Sequence, residues 1–287
     1  WLTYVSPSYT ITEPLPEDAG KQSIAKGVEW YYNGHFLVHP SWKKDWADKY
    51  MGDGLMPVGP ELPADMPDGD GSLGVLEGHM SGIYHDGKQQ YRYWMRDDVQ
   101  GESSYAFAAA GDLLGKQDYL KVSSNLLDYS FREYRDSVRN NPQSPSYGLL
   151  GWSYTHKGTY YGDDNARSIL GSLAASAIMK NTSWDKQMVE CIIGNFRTTG
   201  KNGFRGGNIL DSDLQKNGWR NYFNSDLVNL HPHFESWNWA CYLWLYDQTK
   251  YQPLFDRVKK GVSLMMAGYP NDWNWTNGIQ QERARMI

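Results

Sequence analysis

Tyr161-Gly162-Asp163-Asp164-Asn165-Ala166-Arg167-Ser168-Ile169-Leu170-Gly171-Ser172-Leu173-Ala174-Ala175-Ser176-Ala177-Ile178-Met179 is the stretch from which the rest of the chain can be read. From Asn165 to Met179, small and apolar residues cover the helix nearly all round, which predicts a buried helix. Trp184 to Arg197 follows as a more amphipathic partner. The same pair appears on either side. Val99 to Leu114, rich in alanine, is broken by Gly115 and followed by a helix over Gln117 to Tyr134. Phe234 to Tyr246 is followed by Pro253 to Ala267.

The units recur at a nearly constant distance. Asp98 and Asp164 are 66 positions apart, and Asp164 and His233 are 69 apart. A period this long exceeds the common solenoid repeats and fits a helical hairpin plus one long loop. Buried first helices ringed by amphipathic second helices predict an all-α fold, an (α/α) toroid of helical hairpins. Its long loops gather at the mouth, over the starts of the inner helices. About three full units are visible, which fits a partial ring or a truncated (α/α)6 barrel. The closing Gln280 to Ile287 reads as a helix broken off, so the polypeptide is expected to continue.

Around this frame, residues 1–20 are rich in Pro, Thr and Ser and read as an extended lead-in to a domain over 21–287. Lys21 to Tyr32 is expected to be helical. Residues 50–90, dense in Gly, Pro and Asp, read as one long loop, and loops of that length are commonly functional. Further loops are expected over Asn140–Gly158, Thr199–Gly218 and Gly268–Asn277, with a last helix starting at Ile279.

Composition narrows the class of partner. The 287 residues carry a net charge of −5 and no Lys/Arg block, which argues against nucleic acid. No apolar run reaches the length of a membrane span, and Trp1 to Glu17 lacks the features of a signal peptide. Cys191 and Cys241 lie inside predicted helices and are expected to be buried free thiols. The unusual quantity is aromatic: 13 Trp and 21 Tyr. Their flat apolar faces and polar edges suit the C–H face and hydroxyl rim of a sugar, although most are expected to fill the core.

Four segments carry a resemblance. Asp98-Val99-Gln100-Gly101-Glu102, Tyr161-Gly162-Asp163-Asp164-Asn165-Ala166-Arg167, His231-Pro232-His233 and Asn277-Gly278-Ile279-Gln280-Gln281-Glu282-Arg283-Ala284-Arg285 resemble bacterial six-hairpin (α/α)-barrel proteins grouped with glycoside hydrolases. The likeness runs from about residue 20 onward. A looser similarity is to unsaturated glucuronyl and rhamnogalacturonyl hydrolases. In that fold two aspartates at the mouths of successive inner helices flank the substrate, and Asp98 and Asp164 occupy comparable places. The resemblance implies a polysaccharide- or oligosaccharide-degrading enzyme, with a uronate-containing substrate among the candidates; a periplasmic or extracellular location and no cofactor are expected.

Glycoside hydrolysis needs one carboxylic acid and one carboxylate. Asp163-Asp164 is the first candidate pair, with one aspartate expected to cap the helix and the other to face the mouth. Mutual repulsion can raise one pKa of such a pair. Arg167 is a candidate substrate contact; the plain alternative is capping, with Arg167 as a local ion-pair partner. Asp97-Asp98 with Glu102, one turn on along the same face, is the second candidate, again against capping and a solvated glutamate. His231, His233 and Glu235 alternate, so in an extended segment they would point one way, toward sugar hydroxyls or a uronate. A zinc site lacks a third ligand nearby, and no metal is expected.

Asp68-Gly69-Asp70-Gly71-Ser72 fits the calcium-loop pattern poorly, because Met66 stands at its first position. The loop reads instead as a substrate loop, with Glu77 as an extra acid. Arg283 could clamp a carboxylate. Tyr161 and Trp219, with Trp237, Trp239, Trp273 and Trp275, could wall sugar subsites, against a packing role for each. A lyase or epimerase using Tyr160, Tyr161 or His233 as base and a non-catalytic glycan-binding module are the rival functions.

Overall fold

The computed structural model describes residues 10, 12–51, 57–83, 85–136 and 138–287, so most of the expected lead-in lies outside them. The fold is mainly helical. After α1 (Ala19–Asn33) comes an irregular helical segment: α2 (Pro40–Trp42), a π-helical stretch (Lys43–Asp48) and α3 (Lys49–Met51). Three hairpins follow, α4 (Asp97–Leu114) with α5 (Gln117–Glu133), α6 (Gly162–Met179) with α7 (Asp185–Arg197), and α10 (Pro232–Thr249) with α11 (Gln252–Ala267). Two short helices, α8 (Asp211–Asn217) and α9 (Trp219–Phe223), precede the third hairpin, and α12 (Ile279–Arg285) follows it.

Each hairpin turns the same way. The residue after the inner helix is left-handed: Gly115 at φ 67°, Lys180 at φ 52° and Lys250 at φ 55°. Only the first has the glycine that makes this conformation cheap. The inner helices pack as a row, α1 on α4, α4 on α6, α6 on α10 and α10 on α12, and α5, α7 and α11 each lie against their own inner partner. This is an arc of helical hairpins in which α4, α6, α10 and α12 start at one end, while α1 runs the opposite way, its last turn (Tyr31) bonded to Ser103 near the start of α4.

A second repeat holds that end together. Gln100, Asn165, Glu235 and Glu282 are fully buried near the starts of successive inner helices. Each side chain accepts a backbone N–H from the loop that covers its helix: Val75 N at 2.8 Å, Leu150 N at 2.8 Å, Arg205 N at 2.9 Å and Thr276 N at 3.3 Å. Buried loop backbone must find partners, and these side chains supply them. In this register Asp98, Asp163 and His233 are equivalent, each two residues before its clamp.

The expected loop over 50–90 contains a sheet. β1 (Val58–Gly59), β3 (Gln89–Arg92) and β2 (Gly78–Ile83) pair antiparallel in the order β1-β3-β2. Glycines and a register shift between His79 and Ile83 mask the two-residue alternation that would betray strands. β3 runs on through Trp94 and Arg96 directly into α4, so the sheet delivers these side chains to the mouth. The expected loop over Thr199–Gly218 likewise contains β5 (Asn208–Leu210), paired with β4 (Thr159–Tyr161), and α8. Cys191 and Cys241 are free and buried. No helix among the described residues is long and apolar enough to cross a membrane.

Candidate active site

The starts of α4 and α6 are brought together by two glycines. A Cβ on Gly101 would collide with the backbone of Ser168, and one on Gly171 with the backbone of Gly101. With no side chain between them, the helices touch backbone to backbone, and the acidic first turns converge. Carboxylate oxygens of Asp97, Asp98 and Asp164 lie within 4.8 Å of one another.

The aspartates do not occupy the expected capping positions. The N-cap residues are Arg96 and Tyr161, and neither side chain caps its helix. Asp98 Oδ2 accepts from Arg96 Nη2 at 2.9 Å and lies 3.0 Å from Arg167 Nη1. Arg167 also forks onto Glu102, Nε and Nη2 donating at 2.9 and 2.8 Å, and Nη1 reaches Asp164 Oδ1 at 3.5 Å. One guanidinium therefore links Asp98, Asp164 and Glu102. Asp163 turns the other way, 3.0 Å from His233 Nε2, and the His233 backbone N–H donates to Glu282 at 2.6 Å.

Burial and charge separate these groups. Asp97 and Asp98 are wholly inaccessible, and Asp164 is 4% exposed. Burial pushes the Asp164 carboxyl well above its ordinary range, and the charges of Asp98 and Asp163 push it further. Burial does the same to Asp97, with Asp98 adding to it. Asp98 is also raised by burial, but Arg96 and Arg167 oppose the shift. Of the three, Asp98 alone has two guanidiniums within 3.0 Å favouring its charged form, whereas burial favours the protonated form of Asp164 and Asp97. Glu102, whose side chain is 47% exposed, stands on the solvent side of Arg167.

An aromatic wall flanks this group. Trp152 packs on Trp94 at 4.9 Å and on Tyr161 at 4.8 Å between ring centroids. Arg96 lies over the Trp94 ring. Glu77 joins the mouth through Arg92 Nη1 at 3.0 Å and Arg96 Nη2 at 3.9 Å. Arg96, Trp94 and Trp152 were not among the sequence candidates. Only the position of Arg96 immediately before Asp97-Asp98 could have flagged it.

Other candidates lie elsewhere. His231, His233 and Glu235 diverge, because Pro232 starts α10 and replaces the extended period of two by a helical one. His231 Nε2 bonds Thr276 Oγ1 at 3.0 Å, whereas Glu235 is the buried clamp on Arg205 and Gly206. Trp219 sits between the guanidiniums of Arg197 and Arg220, packed over a small core of Leu149, Tyr160, Ile209 and Leu214. Arg283 lies over Tyr269 and bonds Gln280. Trp239 and Trp273 are buried, their indole N–H groups donating to Gly203 and Met265 carbonyls. In the loop after Pro67, Asp68 pairs with His35 and Asp70 accepts the Ser72 N–H in a turn.

The trio is close enough to ligate a hard cation through oxygen. Two guanidiniums already lie on Asp98 Oδ2, however, and supply the positive charge such an ion would bring.

Neither a protein-family model nor a curated protein matches the chain. A solved structure described as "a novel alpha-amylase from Clostridium perfringens" aligns with 12% identity and a TM-score of 0.43, over 67% of this chain. The chain spans about half of that protein, 48% of its length.

Proposed function

We propose that the chain is a glycoside hydrolase acting on a polysaccharide or oligosaccharide, with Asp164 as its general acid. The observation that supports this reading is the pairing at the mouth of α4 and α6. Burial favours the protonated form of the Asp164 carboxyl, and two guanidiniums favour the charged form of Asp98. Environments that push two carboxyls apart in this way are the signature of acid/base assignments. Asp164 would protonate the leaving glycosidic oxygen. Asp98, wholly buried, cannot reach a sugar; its charge keeps the proton on Asp164. Glu102, half-exposed and joined to Asp164 through Arg167, is the carboxylate placed to activate water.

The lyase or epimerase reading lacks a free base. His233 Nε2 is engaged by Asp163 and its Nδ1 is buried. The Tyr160 hydroxyl donates to Asp211 at 2.7 Å, and burial pushes its pKa up to about 12. The Tyr161 phenol is raised as well, by burial and then by Asp164 and Asp163. A glycan-degrading enzyme of this kind would work in the periplasm or outside the cell.

The test is turnover on a panel of oligosaccharides. Asp164→Asn and Glu102→Gln should each lower it by about 10²–10⁴-fold, the range of general acid–base catalysis, with unchanged circular dichroism. Unaltered turnover by Asp164→Asn removes the proposed mechanism.

A further inference from the structure

The mouth has an aromatic pair fixed at both acid-bearing helices. The Trp152 carbonyl accepts the Asp97 N–H at 3.1 Å, which ties that ring to the first turn of α4. Tyr161 is the N-cap residue of α6, two positions before Asp163. The rings meet at an interplanar angle of 53°, and both are partly exposed. Burial raises the Tyr161 phenol and Asp164 stands near enough to add to that rise, so a sugar seated against the pair would lie beside that acid.

The cations beside that pair are already taken. Arg92 is held by Glu77, Arg96 by Asp98 and Glu77, and Arg167 by the Glu102 fork and Asp98. An incoming uronate would have to displace a carboxylate from one of them, leaving two anions side by side. Forked guanidinium–carboxylate pairs are among the stronger polar contacts, and like charges brought together oppose binding. Even with Asp97 and Asp164 protonated, the remaining carboxylates Glu77, Asp98, Glu102 and Asp163 leave no excess positive charge against Arg92, Arg96 and Arg167.

We propose that this mouth takes an uncharged pyranose, stacked on Trp152 and Tyr161, and discriminates against uronates. This deepens the hydrolase reading and rests on it for the location of the site, but its test measures binding alone.

Asp164→Asn, used as a non-turning-over form, is titrated calorimetrically with neutral hexasaccharides (malto-, cello-, manno- and xylo-oligomers) and with oligogalacturonate and hyaluronan hexasaccharides. At least one neutral probe should bind tenfold or more tighter than either uronate, with little change between 50 and 500 mM salt, because an uncharged ligand is not screened. Trp152→Ala should weaken that binding tenfold or more, and Trp152→Phe should restore most of it. Tighter uronate binding, a strong salt dependence, binding of no neutral probe, or an unchanged affinity in Trp152→Ala would each overturn the proposal. If Asp164→Asn turns over normally but binds neutral sugars as described, the acid assignment fails and the specificity stands.

Discussion

Gly101 on α4 and Gly171 on α6 face each other with no room for a methyl group on either, and this contact sets the distance between Asp98 and Asp164. Replacing either with alanine would gain helix propensity, about 0.5–1 kcal/mol. Here that gain is outweighed, because the obstacle is backbone and cannot rotate away. Overpacking of this kind costs about 1–3 kcal/mol. Gly171→Ala should therefore lower the urea midpoint. It should also reduce turnover by more than the unfolded fraction explains, since the acid and its charged partner are pushed apart. Turnover that follows the folded fraction alone would mean that the spacing does not matter.

The charge on Asp98 should be visible in the pH profile. As the proposed general acid, Asp164 would act protonated, so activity should fall as pH rises through its raised pKa. Asp98 is the largest charge sustaining that elevation. Asp98→Asn removes it and frees Arg96 and Arg167, and both changes favour ionised Asp164. The alkaline limb of kcat/KM should move to lower pH. The variant should also be less stable, by about 3–5 kcal/mol, the cost of stripping one partner from a buried ion pair. An alkaline limb that stays in place would separate Asp98 from the titration.

Asp97 offers a test of stability without catalysis. Both its carboxylate oxygens are buried and unpartnered, and its folded pKa lies well above the ordinary value. A raised carboxyl contributes stability that is present in full below the unfolded pKa, about 3.9. That contribution is lost as pH rises through the folded pKa. Asp97→Asn should flatten this decline, so its stability relative to the native chain should improve from pH 4 to pH 8. Parallel urea-stability curves for the two proteins would show that Asp97 does not titrate in the fold.

The hairpins were legible because their first helices are mostly small or apolar, as Asn165 to Met179 is, and because the acidic starts recur at even spacing; the expected burial is only partial, with Tyr105 and Leu113 on α4, Ala177 on α6 and Leu243 and Trp244 on α10 exposed. The sheet over 58–92 was hidden by Gly78, Gly82 and Gly87, which break any alternation. Within the site, Asp98, Asp163, Asp164 and Glu102 could be singled out from their own neighbourhoods. Arg167 and His233 could be singled out as well, but Arg96 and Trp152 could not. Trp152 reaches the mouth from a loop more than 50 residues beyond Asp97, and Arg96 acts by an orientation that β3 imposes. The clamps Gln100, Asn165, Glu235 and Glu282 differ in chemical type, so no common residue marks the position they share.

Whether the trio holds protons or a cation is decided by the arginines. Asp97, Asp98 and Asp164 could furnish oxygen ligands at suitable spacing, but a divalent ion among them would lie close to the guanidiniums bonded to Asp98 Oδ2. Ejecting or reorienting Arg167 would also break its fork to Glu102. The native chain should therefore keep its melting temperature within about 1 °C when calcium or magnesium is added to 5 mM. Its turnover should survive chelation with EDTA. A ligand that binds only the folded state at a hundred times its Kd stabilises by about 2.7 kcal/mol, or several degrees in a domain of this size, so at 5 mM an ion with a Kd of about 50 μM or tighter could not be missed. In Arg167→Met the balance reverses, since one guanidinium is gone and the carboxylates remain. A calcium-dependent rise in melting temperature should then appear in that variant and not in the native chain. Stabilisation of the native chain by calcium would instead assign the trio to metal, and Asp164 would no longer be available as an acid.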